Sequence, residues 1–345
     1  MSAPDRLLTD NAGSVGGDRS PATASRLPGA GAAVALGIVA LGLASLLPGA
    51  PSSLLVALLL GALVPAIADA PARRLQIGAN AIGGPMLRVG IVLLGARGSL
   101  ELVAAVGQMA AVVVLVTMLA VFGFVALAAR QARIAPPLAV LLAVGTAVCG
   151  NSAIAAAAPL VRARRAEIAL AIGTVTLFGT GALLAYPVIG QLLGMDDSTF
   201  GMWAGAGVHD TSQVVATGFA FSGPAGEVAT IVKLGRNALM LPILLTLAML
   251  WHGDASRLGA ASTSLVLVGG YVALVVVNTA GLIPPGVHDL AAVASAAFLS
   301  IAIAAVGLGL RLRELRQLGG SAVAIGFGAS LVGGSVALGM ALALS

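Results

Sequence analysis

Long apolar runs separated by short polar connections dominate this sequence. A helix needs about 20 apolar residues to cross the hydrocarbon core of a bilayer, and most of the runs approach or exceed that length. Strands of alternating polarity, which are typical of outer-membrane barrels, do not occur in the sequence. The pattern therefore predicts an all-α polytopic membrane protein with about 9–11 transmembrane helices. The apolar runs are 32–49, 53–69, 83–97, 102–129, 136–161, 166–192, 200–222, 227–251, 262–281, 288–310 and 319–343.

Composition supports a surface that faces lipid. Hydrophobic residues make up 59% of the 345 residues and charged residues only 9%, whereas soluble domains carry about 25% charged residues. So few charges cannot cover a surface in water, and we expect a multi-pass protein of the inner or plasma membrane. Residues 1–28 are polar and rich in Gly, Ser, Asp and Arg. They predict a disordered cytoplasmic tail, which precedes a single transmembrane domain at 29–345.

Two of the apolar runs carry polar centres. Unpaired backbone groups are costly in hydrocarbon, so irregular backbone at depth survives only inside protein or beside a water-filled cavity. Interrupted segments in matching positions are the best sequence pointer to the binding site of a transporter. The centres are Cys149-Gly150-Asn151-Ser152 in the run 136–161 and His209-Asp210-Thr211-Ser212-Gln213 in the run 200–222.

The two interrupted runs resemble one another when the first is shifted by 60 positions. Some identities are expected by chance in a chain rich in Ala, Val and Gly, so the polar matches carry the information. We therefore predict that the two segments form an inverted repeat. The shift pairs Gly145 with Gly205, Ser152 with Ser212, and Glu167 with Glu227.

Two topologies remain open for these runs. If 136–161 is a re-entrant hairpin tipped at Gly150-Asn151, the cluster Arg162-Arg164-Arg165 returns to the side of the other arginine groups, as the positive-inside rule requires. With a second hairpin at 200–222 entering from the opposite side, the chain has about nine full spans. The run 136–161 is also long enough to cross as one broken helix, because 26 residues at about 1.5 Å each exceed a core of about 30 Å. Both alternatives bring the polar breaks together near mid-membrane.

The polar centres supply candidate substrate ligands. Each break creates a helix N-terminus, whose unpaired N–H groups and partial positive charge bind anions. Short hydroxyl and amide side chains can cap such ends and also donate to an oxyanion. The alternative is that these side chains merely cap a kink or bind a neighbouring helix. The predicted substrate ligands of the two centres are Asn151, Ser152, Thr211, Ser212 and Gln213.

Ionisable residues within the apolar runs supply the remaining candidates. Such residues are expensive at depth and mark functional sites. His209, which can titrate near physiological pH, and Asp210 are candidates for proton coupling, or else a pair that pins the loop. No ligand spacing predicts a metal site, and no cofactor is predicted.

Lys233, the only lysine, lies three residues before Arg236, so both share one helix face. A buried pair of cations implies an anionic partner and predicts a role in substrate binding; the alternative is snorkelling from a helix end. Glu167 and Glu227 each follow a polar break in the first turn of the next helix. They either complement the helix dipole there or take part in coupling.

Four motifs are similar to those of the YeiH-like sulfate exporter family. The resemblance covers nearly all of the chain after the tail. It implies export of sulfate or a related anion across the inner membrane. The family is in turn similar to the cation–proton antiporters and anion transporters built on inverted repeats, which implies a core domain with two interrupted segments and an elevator-like motion. The motifs are AVCGNSAIAAAAPL (147–160), GMWAGAGVHDTSQVVATG (201–218), VKLGRNALMLP (232–242) and GIVLLGARGSL (90–100).

Three function classes compete. The leading hypothesis is a secondary transporter of a small oxyanion, with the anion, coupled protons and the lipid bilayer as partners, and with a homodimer as one assembly. A sodium–proton or other cation antiporter on a similar scaffold would need several intramembrane carboxylates as cation ligands, and Asp210 is a single one. An intramembrane enzyme has no nucleophile with partners at a recognisable spacing. The sequence contains no Walker-type loop that would indicate ATP hydrolysis. Its arginines are scattered, which is not the pattern of a nucleic-acid-binding surface.

Overall fold

The computed structural model describes residues 26–46, 53–251, 259–309 and 320–344. The predicted tail up to residue 25 lies outside these ranges. The α-helices are α1 (Leu27–Leu46), α2 (Ser53–Ile67), α3 (Asp69–Leu94), α4 (Leu100–Ala132), α5 (Pro136–Val144), α6 (Asn151–Ala157), α7 (Arg165–Leu192), α8 (Asp197–Gly207), α9 (Thr211–Phe221), α10 (Gly223–Ala238), α11 (Met240–Leu250), α12 (Gly259–Thr279), α13 (Pro285–Leu308) and α14 (Gly320–Leu344). A 3₁₀ turn at Gly95–Arg97 follows α3, and a π turn at Gly145–Cys149 follows α5.

The helices confirm an all-α polytopic membrane protein. No strand occurs in the described ranges. Within them, seven helical segments are long and apolar enough to cross a bilayer. Ser53–Ile67 and Leu265–Thr279 are shorter apolar helices, and with these two the number of spans reaches the nine of the hairpin topology. The seven segments are Leu27–Leu46, Arg74–Arg97, Leu100–Ala132, Ala166–Leu192, Gly223–Leu250, Gly286–Leu308 and Gly320–Leu344.

The helices pack into two bundles. The five-helix bundle consists of α1, α2, α3, α12 and α13, and the hairpin bundle consists of α4 to α11 with α14. Small residues let helices approach closely in membranes. Gly61 of α2 lies against the backbone of Ala304 and Gly307 in α13, where a side chain would clash. The bundles meet where α6 and α10 contact α12, and where α9 contacts α2 and α13.

The first interrupted run folds as a hairpin rather than as a broken spanning helix. After the π turn, Gly150 adopts φ 69°, a left-handed conformation that glycine tolerates without a steric cost. The chain then reverses, so that the Ile154 side chain lies directly against Gly145. In a continuous helix these two residues would lie about 13 Å apart along the axis.

The second interrupted run is also a hairpin, made of α8 and α9. Phe200 near its start and Phe221 at its end stack with ring centroids 4.0 Å apart. The Ser222 hydroxyl donates to the Asp197 carboxylate at 2.5 Å. A continuous helix would separate these pairs by more than about 30 Å.

Asp196 fixes the start of the second hairpin. Its carboxylate accepts the N–H groups of Ser198 and Thr199, each at 3.0 Å, and the Thr199 hydroxyl at 2.5 Å. These bonds, led by that of the hydroxyl, hold the pKa of Asp196 below its ordinary value. This is the N-cap arrangement that satisfies the first amides of a helix.

The two hairpins enter the bundle from opposite ends. The first precedes the N-terminus of α7 and the second follows its C-terminus, where Gly190 packs against Phe200 and Phe221. Since α7 has 28 residues, it separates the two entrances by about 42 Å. Opposite entry fits the predicted inverted repeat, which stays a prediction.

Candidate functional site

The tips of the two hairpins touch. A Cβ atom on Gly150 would lie 2.9 Å from the Asp210 Oδ2 atom and 3.1 Å from the Asp210 Cα atom. Both the left-handed backbone of Gly150 and this close approach exclude a side chain. The two polar centres predicted from the sequence therefore form one site inside the protein, at the crossing of the hairpins.

Lys233 of α10 forms hydrogen bonds to both tips. Its side chain is fully buried. The ammonium donates to the Val148 carbonyl of the first tip at 2.9 Å and to the Val208 carbonyl of the second at 3.2 Å. It also donates to the His209 carbonyl. An ammonium has three donors, so all of them are used on backbone oxygens.

Arg236, one turn further along α10, repeats this pattern and is 1% exposed. Its guanidinium donates to carbonyls that precede each tip, where a helix end leaves acceptors without partners. The two buried cations thus satisfy the C-terminal ends of both half-helices. The acceptors are Thr146 (2.8 Å) and Ala147 (3.2 Å) in the first hairpin, and Gly205 (3.2 Å), Ala206 (2.6 Å) and Val208 (3.0 Å) in the second.

Basic groups outnumber carboxylates at the crossing. Lys233 and Arg236 bond to both hairpins, and Asp210 is the carboxylate at the contact of the tips. Neither cation forms an ion pair with a carboxylate in the described part of the chain.

The N-terminus of α9 already has a cap. The Asp210 Oδ1 atom accepts the Ser212 N–H at 2.9 Å and the Ser212 hydroxyl at 2.7 Å, while the Gln213 side-chain oxygen accepts the Asp210 N–H at 3.4 Å. Asp210 is therefore a structural cap as well as an ionisable group at the tip. It accepts the Ser212 N–H, which the sequence predicted to be available to a substrate.

Thr176 of α7 contacts both tips, and no sequence pattern predicted a role for it. The Asn151 amide nitrogen lies 3.3 Å from the Thr176 hydroxyl. The Gln213 amide donates to the Thr176 carbonyl at 3.3 Å and to the Thr180 hydroxyl at 3.2 Å. In the 60-residue shift, position 176 corresponds to Arg236, and that correspondence is the sequence signal that could have singled it out.

Two buried polar atoms at the site lack a hydrogen-bond partner. They are His209 Nδ1 and Asn237 Oδ1. The Asn237 amide nitrogen is occupied, because it donates to the Thr211 hydroxyl at 3.2 Å. Free buried acceptors beside the tips are places where a proton donor, such as water or a protonated ligand, can bind.

The hydrogen bonds of Ser330 fix the tautomer of His209. The Ser330 hydroxyl donates its single hydrogen to the Gly326 carbonyl at 2.8 Å, so it can only accept from His209 Nε2 at 2.7 Å. The imidazole hydrogen therefore sits on Nε2, and Nδ1 keeps its lone pair free. Ser330 lies among the many small residues of α14, so the sequence did not predict that it contacts the site.

The predicted polar ligands differ in burial. Asn151, Thr211 and Ser212 are half-buried, Gln213 is buried, and Ser152 is exposed. Helix α6 contacts α12, and α9 contacts α2 and α13, so the tip helices lie at the junction of the two bundles. The structure thus bonds four of the predicted ligands into the crossing, and it leaves the Ser152 side chain exposed beside the first tip.

Glu167 and Glu227 do not join the tips. Glu167 accepts the Arg164 N–H at 2.7 Å and pairs with its guanidinium at 2.8 Å, at the start of α7. Glu227 lies 4.0 Å from Arg97, near the start of α10 at the other end of the bundle. Glu167 lies in the first turn of α7, where it complements the helix dipole as expected. The same expectation is wrong for Glu227, which lies beyond the first turn of α10 because that helix begins at Gly223. A role of either residue in coupling stays a prediction.

The described residues contain no group of three or more His, Cys, Asp and Glu side chains arranged to hold a metal ion. Cys149 is buried at the first tip, with its sulfur 3.4 Å from that of Met240, and acts as a packing residue there.

Comparison with known proteins finds relatives of this chain among bacterial membrane proteins. The model of the family "Conserved hypothetical protein 698" matches residues 28–326. A UPF0324 membrane protein of Nitratidesulfovibrio vulgaris is 34% identical over 265 residues, which cover 73% of each chain. The UPF0324 membrane protein TauZ of Paracoccus pantotrophus is 35% identical over 284 residues, which cover 80% of this chain and 83% of the relative. No solved structure matches the chain.

The match to the family model takes in both hairpins and the helix that carries the two buried cations. The relatives share most of their own length with this chain and are named membrane proteins. These findings agree with the apolar spans and with the motifs at the hairpin tips. The chain therefore belongs to the conserved hypothetical protein 698 family, the YeiH-like family of multi-pass proteins of the cell membrane.

Proposed function

We propose that this protein is a secondary transporter that exports a small, sulfate-like oxyanion across the cytoplasmic membrane. One observation carries the proposal: two hairpin tips from opposite ends of the bundle meet over two buried cations, Lys233 and Arg236. Buried cations are expensive, and here they outnumber the carboxylates at the crossing. A transported anion is the partner that this excess of cations favours.

The anion would bind to neutral side chains rather than to the cations directly. Lys233 has no free donor, since all three are bonded to carbonyl groups. Among the described residues, the hydroxyls of Ser152 and Thr211 donate to no other group. The Asn151 amide and the Ser212 hydroxyl would have to leave Thr176 and Asp210 to bind an anion. In this arrangement Gln213 positions the tip, and Lys233 and Arg236 act through their electric field, which is weakly screened because both side chains are buried behind the tips.

Coupling to protons would involve the free acceptor of His209. Its Nδ1 atom is buried without a partner, and the adjacent Asp210 lies at the tip. The junction between the two bundles provides the surface along which one bundle can move past the other. Such movement of one bundle against the other around a fixed site is the usual basis of alternating access.

Flux through the purified protein in lipid vesicles tests the proposal. Labelled sulfate and organic sulfonates should cross, while labelled sodium should not. The double variant Asn151→Ala/Ser212→Ala should transport sulfate at least about tenfold more slowly. A tenfold change corresponds to a free-energy difference of about 1.4 kcal/mol. Ser45→Ala serves as the matched control, because its hydroxyl makes only a local bond on the exposed face of α1.

The outcomes separate the function classes. Sodium movement without anion movement would instead identify a cation antiporter. Equal sulfate flux in the double variant and in wild type would remove the tips from the transport path.

A further inference from the structure

An apolar groove runs along the outside of the hairpin bundle, away from the tips. It lies between α4, α5 and α11 and has a volume of about 950 Å³. Its walls are almost entirely hydrocarbon, with Met118, Phe122, Val125, Val140, Ile243 and Leu247 among the residues that form them. A groove of this size can hold a long-chain molecule.

The groove is longer than one lipid leaflet is thick. Along α4 it extends from Leu115 to Arg130, a rise of about 22 Å. One leaflet of the hydrocarbon core is about 15 Å thick. An acyl chain lying parallel to α4 would therefore be covered over its whole depth.

One end of the groove is basic. Arg130 and Arg133 line it together with Trp251, and both arginines are exposed. Neither of them makes an ion pair with any carboxylate in the described part of the chain. Trp is enriched at the level of the lipid headgroups, and basic pockets between membrane helices on the cytoplasmic side bind anionic headgroups.

We propose that this groove is a binding site for one anionic phospholipid. Arg130 and Arg133 hold the phosphate, Trp251 lies at headgroup level, and an acyl chain fills the space between α4, α5 and α11. The unpaired charges favour this occupant over a zwitterionic lipid. They also favour it over a second copy of this chain, whose matching face would oppose arginines to arginines.

The position of the groove connects the lipid to the hairpins. One wall is α5, the entering arm of the first hairpin. Another is α11, which follows directly from the helix that carries Lys233 and Arg236. A bound lipid would brace both elements from the outer side, and this role does not depend on what the tips transport.

Lipid binding to the delipidated full-length protein in detergent tests the proposal. Phosphatidylglycerol and phosphatidylcholine with identical acyl chains are added, and bound lipid is counted by native mass spectrometry alongside the unfolding temperature. About one phosphatidylglycerol should bind per chain and raise the unfolding temperature more than phosphatidylcholine does. Because each arginine near a membrane surface contributes about 1 kcal/mol, Arg130→Gln/Arg133→Gln should weaken phosphatidylglycerol binding about 30-fold.

Two further variants keep the test decisive. Arg74→Gln/Arg162→Gln removes two charges from outside the groove and should bind the lipid as wild type does. Ala139→Phe fills the groove without touching the arginines and should weaken binding of both lipids. Equal affinity for the two lipids, or unchanged phosphatidylglycerol binding in Arg130→Gln/Arg133→Gln, would overturn the proposal. So would a stable dimer that excludes lipid from the groove.

Discussion

At the scale of single residues, the two cations of α10 hold the crossing together. Lys233 and Arg236 bond to carbonyl groups of both hairpins, so neither tip can keep its geometry alone. The sequence identified both residues and their shared helix face. It could not identify their partners, because backbone carbonyls carry no sequence signal and the crossing depends on the folding of two distant segments.

Removing the charge of Lys233 should loosen both tips. Lys233→Met keeps a long side chain but takes the donor away from the Val148 and His209 carbonyls, while the Val208 carbonyl keeps its bond to Arg236. Each unsatisfied buried group costs about 1–3 kcal/mol. We expect a loss of at least about 2 kcal/mol in unfolding free energy, measured by denaturation in detergent, together with lost anion flux.

Thr230→Val is the matched control for this variant. Thr230 is buried one turn earlier on the same helix and bonds only to the Gly226 carbonyl. If Lys233→Met proves as stable as Thr230→Val, the bonds of Lys233 to the tips do not support the fold.

Gly150 should tolerate no side chain. Gly150→Ala places a Cβ 2.9 Å from the Asp210 carboxylate on a backbone with φ 69°, and holding a side chain in such a sparsely populated conformation costs about 1–3 kcal/mol. We expect a lower unfolding temperature and reduced flux. Gly181→Ala, which meets no neighbouring atom within 4 Å, should be neutral or stabilising. Equal effects of the two substitutions would refute the close contact of the tips.

At the scale of helices, the apolar pattern predicted most elements but misjudged some boundaries. The run 83–97 is only the second half of α3, because the first half of that helix carries Arg73, Arg74 and Gln76 and therefore lacks an apolar signal. Both polar centres were correctly located as interruptions. Whether they were hairpins or broken spans could not be decided from apolar length, since both forms satisfy the same hydrophobic pattern.

The closed form of the second hairpin is open to a chemical test. Asp197→Cys and Ser222→Cys, introduced together in a Cys149→Ala background, should be joined by a short thiol cross-linker, because the two native side chains are hydrogen-bonded. In a spanning helix they would lie about 37 Å apart. Single cysteines at the two positions should also react with an impermeant maleimide from the same side of the membrane. Reaction from opposite sides would exclude the hairpin.

At the scale of the whole molecule, the site lies where two bundles meet. The sequence predicted the membrane class, the polar centres and their convergence, because burial of irregular backbone in lipid restricts the alternatives severely. It did not reveal Thr176, Asn237 or Ser330. These side chains complete the site from α7, α10 and α14, and only the packing of those helices brings them to the tips.

Anion transport through this site requires that the crossing of the tips be reached by water and hold an anion. The rate at which a polar thiol reagent modifies Ser152→Cys in a Cys149→Ala background, with and without sulfate at constant ionic strength, measures both properties. We expect ready modification that sulfate or a related oxyanion slows several-fold. A cysteine that does not react, or one whose rate no oxyanion changes, would contradict anion transport through this site.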